Sequence, residues 1–131
     1  MDVVRWKTRY QNYHKALLKL ERAVTQTSLT ELEQEGLIQR FEFTFELAWK
    51  TLQDLLVFSG YADILGPRPV LEQSLHDGYI ENSMGWARML KSRNETTHTY
   101  DESTARRIVT EIQSDYFPLL KKLDEKLKSL L

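Results

Sequence analysis

No cysteine occurs among the 131 residues, which excludes a disulfide framework and a thiolate metal site and leaves the redox compartment open. Proline is scarce at 3 residues and glycine at 5, so few points oblige the chain to break regular structure. No apolar run approaches the ~20 residues needed to cross a bilayer. The opening stretch MDVVRWKTRYQNYHK lacks the apolar segment of a secretion signal, and the expectation is a cytoplasmic protein with no membrane contact. An excess of one charge is also missing, since 18 Lys and Arg face 19 Asp and Glu. That balance gives no chain-wide pull toward nucleic acid or anionic lipid, so any RNA contact must be local. Strand-like alternation, internal repeats and low-complexity runs are absent as well.

What is there reads as helix. With 41% hydrophobic and 28% charged residues the composition is that of a folded protein, and the length suits one core. The expectation is a single helical domain over residues 1–131. Trp6, Tyr10, Tyr13, Leu17, Leu20 and Val24 recur in steps of four and three and trace one face of a first helix, better read as core than as a base-stacking platform. Ser28 or Thr30 can cap a second helix, whose stripe is Leu37, Phe41, Phe45, Ala48, Leu52 and Leu55 and whose C-terminal cap is Gly60. Phe43 and Trp49 widen its apolar arc, which predicts neighbours on more than one side. GPRP at residues 66–69 is a breaker, with Pro69 suited to the first turn of a short helix that ends at Gly78.

Asn82 or Ser83 can cap a fourth helix carrying Trp86, Met89 and Leu90 inward. A last helix runs through Ile108, Ile112, Tyr116, Leu119, Leu120, Leu123, Leu127 and Leu130, entered at a Thr99-x-x-Glu102 capping box or at Asp101 and kinked or split by Pro118. KKLDEKLK, residues 121–128, mixes both signs and reads as a solvated face; His14 and His76 read as solvated or capping residues. The fold class that follows is all-α, an up-and-down bundle of four to five helices.

The segment SRNETTHTYDE, residues 92–102, gathers Arg93, Asn94, His98 and Tyr100 where the fourth helix ends. A guanidinium can take a phosphate in two hydrogen bonds, and a histidine can give or accept a proton near neutral pH. Both suit phosphodiester cleavage. On an uninterrupted helix Asn94 and His98 would share a face, whereas Arg93 and His98 would not. Metal-free cleavage of RNA needs a base for the ribose 2′-hydroxyl, an acid for the leaving oxygen and a cation for the phosphorane. One chain offers too few such groups here, and two copies about a two-fold axis would supply them. The plainer reading is that Arg93 and His98 favour the helix dipole, with Arg93 paired to Glu95 or Asp101 in a surface ion pair. Spacing leaves both readings open.

FEFTFELAWKTLQDLL, GPRPVLEQSLHDGYI, WARML and RNETTHTYDE together resemble the nucleotidyltransferase substrate-binding proteins of the HEPN superfamily, the group that includes the HepT toxins. The resemblance is clearest from Phe41 to Tyr116. It rests on the family motif of arginine, polar residue, spacer and histidine at Arg93, Asn94 and His98, followed by Tyr100 two residues on. It implies a four- or five-helix bundle that dimerises with its motifs facing each other, and a partner in a minimal nucleotidyltransferase encoded nearby that acts as antitoxin. Homodimers, or hetero-oligomers with the transferase, are expected. The activity implied is a metal-independent endoribonuclease with no cofactor, RNA as substrate and Arg93, Asn94 and His98 as catalytic residues. The partner would silence it by transferring AMP to Tyr100. The alternative within the same family is a non-catalytic substrate- or nucleotide-binding subunit of a two-component transferase.

Overall fold

The computed structural model describes residues 4–131, and among them there is no strand. Six α-helical segments are ordered α1 (Arg5–Val24), α2 (Glu31–Phe58), α3 (Pro67–His76), α4 (Ser83–Glu95), α5 (Glu102–Glu111) and α6 (Phe117–Ser129). A 3-10 turn, Thr96–His98, follows α4, and a π turn, Ile112–Tyr116, joins α5 to α6. The last three pieces therefore form one continuous rod, and the chain is a helical bundle of five rods. α2 is its spine, in contact with α1, α3, α5 and α6.

The ends of these helices follow from local chemistry. Thr30 opens α2 with both halves of a capping box, Glu33 N–H donating to Thr30 Oγ1 at 3.1 Å and Thr30 N–H donating to Glu33 Oε1 at 2.9 Å. Those bonds hold the Glu33 carboxyl below its ordinary range. At the other end Gly60 takes φ +106°, which a side chain would resist, so that Gly60 N–H bonds Val57 O and Tyr61 N–H bonds Leu56 O. α3 begins two residues before the expected point: Pro67, not Pro69, occupies the first helical position behind Gly66, because the missing N–H is harmless there. α4 is capped by Asn82, whose Oδ1 accepts from Gly85 N–H at 2.9 Å. α5 is capped by Asp101 rather than by Thr99.

Pro118 stands in the first turn of α6, directly behind the π turn, so the last helix is divided there as expected while the rod runs on. Its missing N–H is absorbed one turn earlier, where Phe117 N–H reaches back to Ile112 O and widens the turn. The wide turn keeps Ile112, Tyr116, Leu120, Leu123 and Leu127 all buried on one side.

The core unites Trp6, Tyr13, Leu20, Leu37, Phe41, Phe45, Leu52, Trp86, Met89 and Ile108, all essentially inaccessible. Gly85 lets α4 approach α6 closely, since a Cβ there would lie 2.7 Å from Leu119 Cδ1. Three expectations are corrected. Phe43 is 66% exposed, because it lies two residues from both Phe41 and Phe45 and about 200° around the helix from each. Trp49, by contrast, packs against the core as expected while staying half-buried, its indole N–H donating to Glu46 Oε2 at 2.8 Å. His14 is no solvated residue: its Nδ1 lies 2.9 Å from Asp124 Oδ1. That contact buries Asp124 within the stretch read as a solvated face.

The pair Phe45 and Phe43 tests this packing. Phe45→Ala should cost about 3–5 kcal/mol and Phe43→Ala within about 0.5 kcal/mol, read from urea unfolding midpoints at constant m. Comparable losses at both positions would contradict the assigned faces.

Candidate functional site

Arg93 stands in the last turn of α4, and the helix is held at that point from below. Ser92, buried one residue earlier, has its Oγ 2.6 Å from the Tyr116 hydroxyl. The same hydroxyl meets Arg88 O at 3.2 Å and donates toward Glu111 Oε2 at 3.0 Å. Burial, with Glu111 adding to it and the Ser92 bond opposing it, pushes the Tyr116 phenol up to about 12.

Beyond Glu95 the backbone tightens. Thr96 Oγ1 donates to Arg93 O at 2.8 Å and Thr99 Oγ1 to Thr96 O at 3.0 Å, which stitches the 3-10 turn to the helix. Asp101 closes the other side, accepting from the Ser103 and Thr104 hydroxyls at 2.8 Å each and from Thr104 N–H at 3.3 Å. The Ser103 and Thr104 bonds hold the Asp101 carboxyl below its ordinary range. Between these two stitched points His98 and Tyr100 project. His98 is exposed and Tyr100 is 84% exposed; their rings stand edge to face with centroids 6.1 Å apart. Tyr100 therefore does not anchor α5, and its hydroxyl meets solvent beside His98.

Arg93 has a partner that neither helix-end reading supplies. Its Nη2 donates to both carboxylate oxygens of Glu46 on α2, at 2.9 Å to Oε2, and its Nη1 donates to Asn94 Oδ1 at 3.1 Å. Both side chains of the pair are 31% exposed. The residues expected to pair with Arg93 are engaged elsewhere: Glu95 binds Arg107 at 2.9 Å, and Asp101 caps α5. Asn94 and His98 are not joined, because the α-helix gives way to a 3-10 turn between them and Asn94 turns to Arg93 instead. Among the described residues no hydrogen bond reaches the His98 ring.

Glu46 is the site residue that sequence spacing could not find, lying 47 positions from Arg93. Its carboxylate is held between the Trp49 indole and the Arg93 guanidinium. The arrangement aims a guanidinium at the rim while an internal anion occupies part of it. An anion reaching this guanidinium has to share or displace that carboxylate.

An all-α bundle that presents Arg, His and Tyr on one polar turn, with a carboxylate clamped to the arginine, defines the class. The chain belongs to the family described as nucleotidyltransferase substrate binding protein like, which matches residues 8–129. Over 81 residues it is 32% identical to a protein of Haemophilus influenzae (strain ATCC 51907 / DSM 11121 / KW20 / Rd) described as "Probable ribonuclease HepT". That match covers 59% of this chain and 56% of the relative, so the chain spans little more than half the relative's length. Two solved structures are similar over nearly their whole lengths. One is a protein of Thermus thermophilus, 30% identical with a TM-score of 0.81, covering 88% of this chain and 98% of that one. The other, from Haemophilus influenzae, is described as revealing the fold of a substrate binding domain of a nucleotidyltransferase. It is 25% identical with a TM-score of 0.70, covering 94% of this chain and 96% of that one.

The Tyr116 brace carries a pH signature. A phenol ionises near 10 in the unfolded chain but at about 12 when folded. The unfolded state therefore releases its proton first as pH rises. This contribution to stability is complete below about pH 10 and is lost between about 10 and 12. Tyr116→Phe should be less stable than the parent at neutral pH and show a shallower fall in stability over that window. An unchanged alkaline slope would mean that Tyr116 is not the group responsible.

Proposed function

We propose that this protein is a HEPN-type toxin, a metal-independent endoribonuclease restrained by a minimal nucleotidyltransferase encoded nearby. The observation that carries the reading is the exposed His98 and Tyr100 on a stitched turn directly after the Arg93 clamp. In this mechanism His98 of one protomer takes the ribose 2′-proton as the 2′-oxygen attacks phosphorus, and a second acid protonates the departing 5′-oxygen. The products are a 2′,3′-cyclic phosphate and a free 5′-hydroxyl. Arg93, swung from Glu46 to the phosphate, meets the charge of the phosphorane, and Asn94 holds the guanidinium plane. Because one turn supplies one histidine, the acid comes from the second copy in a cytoplasmic homodimer whose turns face each other.

The antitoxin role assigned to the transferase acts at Tyr100. Its phenolic oxygen attacks the α-phosphorus of ATP, pyrophosphate departs and the phenolic proton is lost. The AMP so attached carries a negative phosphate toward Arg93 and a bulky adenosine across the turn, so charge pairing and steric block both oppose RNA.

A second reading has its own support in the occupied state of Arg93. Locked to Glu46, the guanidinium is a poor phosphate receptor, and the chain then serves as a non-catalytic subunit that presents a substrate, or Tyr100, to the transferase. The relative described as a nucleotidyltransferase substrate binding domain favours this alternative.

Purified protein incubated with RNA separates the two. His98→Ala should lower cleavage by about 10²–10⁴-fold and Arg93→Ala by about 10²–10³-fold, while His14→Ala, remote at its Asp124 partner, should change it little. Cleavage untouched by His98→Ala would remove the ribonuclease reading. With the partner transferase and ATP, peptide mass spectrometry should place the added AMP on Tyr100. Modification elsewhere, or none with an active partner, would remove that role for Tyr100.

A further inference from the structure

A groove of about 770 Å³ runs between α1 and α2, apart from the polar turn. Lys15, Lys19 and Arg22 line it from α1 at helical steps of four and three, and Arg40 lines it from α2. Among the described residues no carboxylate lines it. In a chain of net charge −1 with 18 Lys and Arg, four of the cations thus sit together without an acid among them. None takes part in an ion pair among the described residues. Arg40 is pinned across the groove, its Nη1 donating to Lys19 O at 2.8 Å, which fixes one cation and leaves its other donors outward.

Two further features are costly for a plain surface. Phe43, 66% exposed, lines the groove, an apolar ring left in water midway along α2. Gly36 lies inside α2, where glycine is the least favourable residue after proline. A Cβ on Gly36 would meet nothing within 4 Å, so neither packing nor backbone geometry requires glycine there. Its absence of a side chain leaves a bare strip of backbone between the cations and the ring. Phe43 is also one helical turn from Glu46, the residue that clamps Arg93.

We infer that this groove is a track for single-stranded RNA, in which the four cations hold phosphates, Phe43 stacks a base and Gly36 admits the backbone close to α2. Cations along a groove with an exposed aromatic are how proteins hold single strands without reading sequence. An open trough suits a strand passing through better than one enclosed nucleotide. The proposal rests on the reading of the chain as one that acts on RNA, and it assigns the path that the substrate takes.

The test is fluorescence anisotropy with a labelled single strand of 2′-O-methyl RNA, which binds but cannot be cleaved by 2′-hydroxyl attack. Cleavage of ordinary RNA is measured in parallel on the same preparations. The parent protein should bind, with log K falling against log salt at a slope of about −2 to −3 for three or four phosphate contacts. Lys19→Gln with Arg22→Gln should weaken binding at least about tenfold and flatten the slope by about 1.4. Gly36→Leu fills the trough while improving helix propensity, so its thermal midpoint should rise as binding falls about tenfold; misfolding cannot explain that pair of results. Binding that ignores the groove variants but is lost in Arg93→Ala would overturn the track and leave the ribonuclease reading standing. Binding through the groove with cleavage indifferent to His98 would leave the track and remove the ribonuclease. Displacement of the strand by ATP at comparable affinity, or groove variants that alter only self-association in sedimentation, would overturn the track in favour of a mononucleotide site or an interface between copies. Failure of the parent to bind the strand at low salt would overturn it as well, with the parallel cleavage assay showing whether the ribonuclease reading falls too.

Discussion

The hydroxyl of Tyr116 is the contact on which the placement of the polar turn depends. Its ring stacks on Phe41 of α2, with centroids 5.6 Å apart and planes 23° from parallel, while its oxygen meets Ser92 and the Arg88 carbonyl of α4 and Glu111 of α5. One buried side chain thus fixes the spine of the bundle, the helix that carries Arg93 and the helix that follows the turn. The π turn makes this geometry available, since widening one turn ahead of Pro118 lets Tyr116 face inward without breaking the rod. A buried polar group bonded in this way favours one arrangement, because a shift of α4 would strip the phenol of Ser92 and the Arg88 carbonyl.

From that anchor a chain of charges leads outward. Glu111 also accepts from Arg107 at 2.7 Å, and Arg107 donates to Glu95 at 2.9 Å, so the end of α4 is braced against α5 on the side opposite Glu46. These outer pairs are substantially exposed and contribute little stability individually. Their effect is positional, because Glu95, drawn to Arg107, is not available to Arg93. The guanidinium is left to α2 and to whatever approaches from solvent.

Most of the fold was legible in the sequence because helix faces are local. Trp6, Tyr10 and Tyr13 are buried as their spacing implied, and the glycines that end α2 and α3 do so with positive φ. The misreadings came from treating bulk as burial and from long-range pairing. Phe43 is large and apolar, yet its angular position between Phe41 and Phe45 points it away from the core. His14 and Asp124 are 110 positions apart, and nothing in either neighbourhood marks them as partners. The same limit hid Glu46. The motif residues Arg93, Asn94, His98 and Tyr100 stand out as a polar cluster at a helix end, whereas Glu46 is one carboxylate in an amphipathic helix, and its only local signal is Trp49 three residues on. The 3-10 turn was also hidden, since Thr96 and Thr99 stitch it through backbone carbonyls that spacing does not reveal.

The Arg93–Glu46 pair ties the local chemistry to the whole. A partly exposed ion pair gains modest Coulomb energy and loses side-chain freedom, so its net contribution to stability is small. Such a pair is better explained by where it keeps the guanidinium than by how strongly it holds the bundle. Held by Glu46 and Asn94, the Arg93 side chain is ordered before any ligand arrives. The Glu46 carboxylate keeps the half-buried guanidinium from being left unpaired.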